Sequence, residues 1–167
     1  MVRGGTLEPI LVITTGGTID KVYFDAKSDF EVGESVVAEL LQQANVDQLF
    51  EVLGVLRKDS LELTDEDRKL IRETTAARPE KRIVVTHGTD TMTETAKSLS
   101  VLQSKTIVLT GSLAPARFAR SDATFNVGMA FAAVQTLAAG VYIVMNGQVF
   151  AADRVRKDRA NNTFVRC

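Results

Sequence analysis

The sequence predicts an α/β domain with a doubly wound, largely parallel sheet flanked by helices, and three observations carry that expectation. Apolar, β-branched runs of strand length recur along the chain, helical patterns sit between them, and polar, glycine-rich turns follow where each run stops. The runs are nearly continuous rather than alternating, which is the pattern of strands covered on both faces.

The first run is "PILVITT", Pro9 to Thr15, and it empties into "TTGGT". The next stretch, "GGTIDKVYFDAKSDFEVGE", carries Val22, Phe24 and Phe30 among polar residues without a helical stripe, so it reads as a mobile hairpin or lid of about fifteen residues. Val36, Val37, Leu40, Leu41 and Ala44 then repeat at helical spacing. The second strand is "FEVLGVL", Phe50 to Leu56, followed by "RKDS". "TDEDRKLIRE" opens a second helix, with Thr64 and Asp67 spaced as a capping box. The third strand, "RIVVTH" from Arg82 to His87, leads through "THGTDT" into a helix marked by Met92, Ala96, Leu99 and Leu102. "TIVLTG", Thr106 to Gly111, is the fourth strand and "TGSLAP" its turn. The helix from Ser121 to Ala139 is small and apolar almost all round, as one pressed into a core would be. "VYIVMNG", Val141 to Gly147, is the fifth strand, with "GQVFAADRVRK" read as its rim loop.

Composition narrows the function classes. A chain of 167 residues has the size of one domain, spanning 1–167, and no repeat or low-complexity linker divides it. Twenty basic residues against twenty-one acidic ones, mostly dispersed, argue against a nucleic-acid partner. No apolar run reaches the roughly 18 residues of a membrane span, and the early apolar run ends in Thr and Gly with no small-residue cleavage site, unlike a secretory signal. One cysteine, Cys167, and one histidine, His87, supply neither a disulfide framework nor a Cys/His metal site. The expected address is cytoplasmic.

In an open parallel sheet ligands bind at the carboxyl ends of the strands, where the order of connection reverses. The unusual turns all belong to that rim, so a pocket is expected there. The plain account of "THGTDT" is that Thr89 or Asp90 caps the helix beginning near Thr91, but that explains one residue and leaves Thr86, His87, Thr91 and the matching "TTGGT" cluster. A threonine hydroxyl becomes a nucleophile when a base takes its proton, and acyl transfer also needs donors aimed at the developing oxyanion. Amides of a glycine-rich turn are free to face a ligand, and Lys157 near the last rim loop is the candidate base. Thr89, His87 and Asp90 lie too close in sequence to face one substrate atom as a relay, so His87 is read as a structural, hydrogen-bonded residue. A nucleotide site is the rival, but "TTGGTID" fits neither phosphate-loop pattern and opens no helix.

The segments "TTGGTID", "THGTDTMTETA", "TGSLAPARFARSDATFN" and "VYIVMNGQVF" together resemble, in order and spacing, the bacterial-type L-asparaginase/glutaminase family, from about Leu11 to Lys157. The resemblance implies hydrolysis of the side-chain amide of L-asparagine through a threonine acyl-enzyme, with no metal or organic cofactor. It implies Thr18 as nucleophile, Tyr23 as the lid tyrosine assisting it, and Thr89 with Asp90 and Lys157 as a second hydroxyl-based triad. Asp59, Ser60, Gly88, Asp90 and Ser112 fall in the implied substrate-binding set, Asp90 taking the α-ammonium. Asp59 stands at the family's aspartate and Arg57 where the family often has a serine for the α-carboxylate, leaving Arg57, Ser60 or a backbone amide for that role. The family's second, smaller domain is not matched, so the chain reads as a short single-domain form. A homodimer or homotetramer would let a neighbouring chain close the site. Two other readings are a non-catalytic amino-acid-binding module on the same fold and a hydrolase of another small amide.

Overall fold

The computed structural model describes residues 8–25 and 28–167. Along these the chain forms β1 (Ile10–Gly16), β2 (Lys21–Phe24), β3 (Asp29–Val32), α1 (Val37–Gln43), β4 (Phe50–Lys58), α2 (Asp65–Ala77), β5 (Arg82–Thr86), α3 (Met92–Leu99), β6 (Thr106–Thr110), α4 (Ala123–Thr136), β7 (Gly140–Met145), β8 (Gln148–Ala151), β9 (Val155–Asp158) and β10 (Thr163–Arg166). The main sheet has the order β4-β1-β5-β6-β7-β8. Its first five members are parallel, and β8 runs antiparallel to β7. The order reverses at β1, which pairs with β4 on one side and β5 on the other.

The continuous apolar runs follow from this placement. Leu11 and Ile13 of β1 enter a core with Ile71 of α2 and Met92, Ala96 and Leu99 of α3, while Ile10 and Val12 face α1 and α4 on the opposite side. β5, β6 and β7 divide their residues between the two cores in the same alternation. Helix α2 starts at the expected capping box, with the Thr64 side chain accepting from the Asp67 amide and the Asp67 carboxylate from the Thr64 amide. Lys58 adds an ion pair to Asp67 at 2.8 Å. That hydrogen bond, the Thr64 amide and the lysine charge hold the Asp67 carboxyl below its ordinary range, against a smaller opposing effect of burial.

Two expectations change. The fifth strand stops at Met145, and "GQVFAADRVRK" is not a loop: it turns back as β8 and then enters the β9–β10 hairpin. Asn146 and Gly147, with φ of 53° and 68°, make the two-residue turn that reverses it. Helix α4 is not covered all round, since Phe125 is 62% exposed and faces outward with Thr124, Gly128 and Ala132. The stretch read as a hairpin or lid is indeed an antiparallel hairpin, β2 with β3; Ala26 and Lys27 lie outside the described residues.

Candidate active site

The two threonine turns meet at the reversal point of the sheet. Thr15 at the end of β1 donates its hydroxyl to the Thr86 carbonyl of β5 at 2.8 Å, tying the strand ends together. Gly16 and Gly17 follow with φ of 99° and 92°. Their small size matters as much as their conformation. A Cβ on Gly17 would lie 2.4 Å from the Gly88 nitrogen, and one on Gly88 would lie 2.6 Å from the Cβ and Oγ of Ser60. The turns that carry Thr18 and Thr89 therefore meet backbone to backbone at Gly17 and Gly88, with Ser60 packed against the second. The Gly17 amide donates to the Lys58 carbonyl at 3.0 Å, so it braces the turn and does not face a ligand.

Lys157 arrives from β9, opposite Phe164 of β10. Val155 and Phe164 are buried, and the Phe164 amide donates to Asn146 Oδ1 at 2.9 Å, which fixes the hairpin to the β7–β8 turn. The lysine side chain is 7% exposed and its ammonium donates to Thr89 Oγ1 at 2.7 Å and to Asp90 Oδ1 at 2.8 Å. Thr89 thus holds a hydroxyl, a proton-carrying amine and a carboxylate in one chain of hydrogen bonds. The plain account of the turn, a helix cap from Thr89 or Asp90, does not hold: the N-cap is Thr91, whose hydroxyl donates to the Ser60 carbonyl at 2.7 Å.

Ser60 is 2% exposed, and its Oγ accepts from the Asp90 amide at 3.2 Å. Beside it Asp59 accepts from the Leu61 amide and pairs with Lys21 of the hairpin at 2.8 Å. Burial pushes the Asp59 carboxyl up, but the Lys21 and Leu61 hydrogen bonds, with the charges of Lys21 and Lys157, outweigh it and hold the group below its usual range. An open cavity of about 390 Å³, lined by Lys21, Phe30, Arg57 and Asp59 among others, flanks this ion pair; neither Thr18 nor Thr89 lines it. Among the described residues no cluster of three or more His, Cys, Asp and Glu is placed to hold a metal ion.

Residues 9–164 match the family described as Asparaginase, N-terminal. The chain belongs to the asparaginase family. Among similar proteins, a glutaminase-asparaginase of Acinetobacter glutaminasificans is 30% identical over 166 residues, covering 89% of this chain and 49% of that protein. A subunit of the glutamyl-tRNA(Gln) amidotransferase of Pyrococcus furiosus is 32% identical over 156 residues, covering 85% of this chain and 34% of its own length. The crystal structure of L-asparaginase I from Vibrio cholerae superposes with a TM-score of 0.82 at 29% identity, covering 95% of this chain and 51% of that one. The chain spans about half of the length of these relatives or less.

Within this asparaginase-family domain the expected residues are not all gathered alike. Thr89, Asp90, Lys157, Ser60 and Gly88 form one connected cluster. Thr18 is partly exposed beside it, and among the described residues nothing hydrogen-bonds its hydroxyl. Tyr23 is 49% exposed on β2, its ring 5.3 Å from that of Phe30, which in turn lies 5.9 Å from Phe118 of the loop after β6. Ser112 is buried and spends its hydroxyl on the Ala114 carbonyl, so it shapes the turn after β6 rather than opening toward the cluster. Arg57 pairs with Glu34 at 3.1 Å, outside the cluster.

Two structural roles escaped the sequence reading. Asp122 accepts from the Leu113 and Ala114 amides, and Asn126 donates to both Asp122 and the Gly111 carbonyl, so the "SDATFN" segment holds the turn after β6. The signal lay in an Asp and an Asn four apart on an otherwise apolar helix, which places both on one face.

His87 is fully buried, with Nδ1 2.7 Å from the Gly88 carbonyl and Nε2 2.7 Å from Thr95 Oγ1. Burial lowers its pKa from 6.5 to about 4, against a smaller upward effect of the Gly88 hydrogen bond. The unfolded chain therefore binds a proton here that the folded chain refuses, and stability is lost as pH falls from 6.5 toward 4. The expected loss is about 1.4 kcal/mol per pH unit and roughly 3 kcal/mol across the window. Asp20 acts in the opposite sense, because burial raises its carboxyl above the ordinary value despite hydrogen bonds from Val36 and Ser35. Urea unfolding of the wild type and His87→Asn at pH 7 and pH 4.5 isolates the histidine; an equal pH dependence in both would assign the loss elsewhere.

Proposed function

We propose that this domain carries the amide-hydrolysing centre of an L-asparaginase, releasing ammonia from L-asparagine through a threonine acyl-enzyme. The observation that carries the reading is Lys157, 7% exposed and hydrogen-bonded at once to Thr89 and Asp90. A nearly buried lysine on a hydroxyl is equipped to move a proton. The backbone contact of Gly17 with Gly88, next to Thr18 and Thr89 in the chain, supports Thr18 as the second hydroxyl.

In this reading Thr18 attacks the side-chain carbonyl carbon. Its proton passes by way of Thr89 and Lys157 to the amide nitrogen, the C–N bond breaks and ammonia leaves. Water then attacks the acyl ester, restoring the Thr18 hydroxyl and freeing aspartate. Asp90 gives one oxygen to Lys157 and keeps the other for the substrate α-ammonium. The Ser60 hydroxyl hydrogen has no acceptor among the described residues and is assigned to the α-carboxylate, since Arg57 is engaged by Glu34. Tyr23 reaches Thr18 when the hairpin folds over a bound substrate. The enzyme works without metal or organic cofactor, in the cytoplasm, as a homodimer or homotetramer whose neighbouring chain covers the rim; light scattering at assay concentration measures that assembly. Among the described residues no helix is long and apolar enough to cross a membrane.

Ammonia release from asparagine at millimolar concentration is the direct test, with Thr18→Ala expected to lower it roughly a hundredfold or more. Near-normal turnover in Thr18→Ala would remove that residue as nucleophile. Aspartate binding without release of ammonia from asparagine would identify an amino-acid-binding module instead.

A further inference from the structure

His87 bonds backward onto its own turn, and the direction of that bond sets the next peptide. The Gly88 carbonyl can only accept, so the hydrogen sits on Nδ1. Because burial keeps the ring neutral, Nε2 is the acceptor, and the Thr95 hydroxyl of α3 donates to it. Thr95 is itself fully buried, and so is the imidazole. The histidine backbone is clamped as well: its amide donates to the Thr110 carbonyl at 2.9 Å, and a Cβ on Gly111 would lie 2.2 Å from its carbonyl oxygen. The ring therefore has one orientation and one tautomer.

All peptide bonds of the described residues are trans. In a trans peptide the carbonyl and the N–H point in opposite directions. With the Gly88 carbonyl held to the buried imidazole, the Thr89 N–H is turned away from the core. Among the described residues it finds no acceptor, although Thr89 is 6% exposed and its hydroxyl is bound by Lys157. A shielded, fixed and unpaired donor is what an oxyanion requires, because it needs no reorganisation as charge develops. An apolar side chain at position 87 would fill the same space at lower cost, since burying an imidazole is worthwhile only when both nitrogens are bonded.

We propose that His87 and Thr95 are positioning residues for the reaction: acting through the Gly88 carbonyl, they aim the Thr89 N–H at the substrate oxygen on which negative charge develops. This rests on the amide-hydrolysis reading above. His87 touches no reacting atom in this arrangement, and its effect belongs to the transition state rather than to substrate binding.

The test is the kinetics of ammonia release from asparagine in His87→Leu, His87→Asn and Thr95→Val. Loss of aim is expected to lower kcat roughly tenfold to a hundredfold in His87→Leu, below the cost of deleting a donor outright, while KM stays within about threefold. His87→Asn retains a donor near the Nδ1 position and is expected to recover most of kcat. Thr95→Val, nearly isosteric, frees the ring and is expected to fall between them, and it carries the test if His87→Leu does not fold. Unchanged kcat in Thr95→Val and His87→Leu overturns the proposal, as does an equal fall in His87→Asn and His87→Leu. A parallel rise in KM that accounts for the loss does so too. A wild-type protein that releases no ammonia overturns the amide-hydrolysis reading and this proposal together, which a defect confined to the variants does not.

Discussion

Lys157→Met is expected to lower kcat for asparagine at least a hundredfold while the protein stays folded. Methionine matches the length of the lysine stem and packs well in a site where the side chain is 7% exposed. The Thr89 hydroxyl loses its 2.7 Å partner, which is the proposed route for its proton. Asp90, 36% exposed, remains reachable by water, so no charge is stranded in the interior. Thr89→Val removes the other end of the same hydrogen bond and should cost a similar factor. The double variant should be little worse than either single one, because groups that act as a unit are not additive. Turnover within tenfold of wild type in Lys157→Met would remove this lysine from the proton path. A multiplicative loss in the double variant would show that the two residues work separately.

Gly17→Ala is expected to abolish turnover and to destabilise the protein by roughly 2 to 5 kcal/mol, from a strained backbone and a forced contact together. With φ of 92° and ψ of −174°, Gly17 holds a conformation that is all but restricted to glycine. The added methyl would meet the Gly88 nitrogen at 2.4 Å and its Cα at 2.5 Å, atoms of another backbone that cannot rotate aside. The two threonine turns must then part. Gly128→Ala makes the contrast, since it lies on an exposed face of α4 where an added Cβ would have nothing within 4 Å. That change is expected to leave turnover intact and to raise stability by up to about 1 kcal/mol. Urea unfolding and ammonia release on the pair separate the two effects, and a fully active Gly17→Ala would show that the turns tolerate separation.

The parallel part of the fold was legible because its strands are covered on both faces. Ile10, Val12 and Val84 go to one core and Leu11, Ile13, Ile83 and Val85 to the other, so each run is apolar at every position. The antiparallel part was not, because β8 and β9 are four residues each and the second is rich in charge, although the Asn146–Gly147 pair is itself a hairpin signal. That omission turned two paired strands into a loop, yet Lys157 still meets Thr89. Within the cluster, residue types pointed to Thr89, Asp90 and Lys157, whereas the choice between Arg57 and Ser60 depends on which way a strand end faces. Arg57 leaves toward Glu34 and Ser60 turns inward under Gly88, and spacing alone holds no record of that.

The position of β1 between two later strands has a consequence for the timing of assembly. Thr15 must wait for a partner 71 residues further along the chain, and Thr89 for Lys157, which is 68 residues after it. Contacts so distant in sequence form slowly, after the helices and their local turns. A nascent chain that has emerged as far as the end of α4 already holds β1, β4, β5 and β6 and both threonine turns, but not Lys157. Ammonia release would therefore register the arrival of β9, an event to which circular dichroism, dominated by helices already made, is nearly blind.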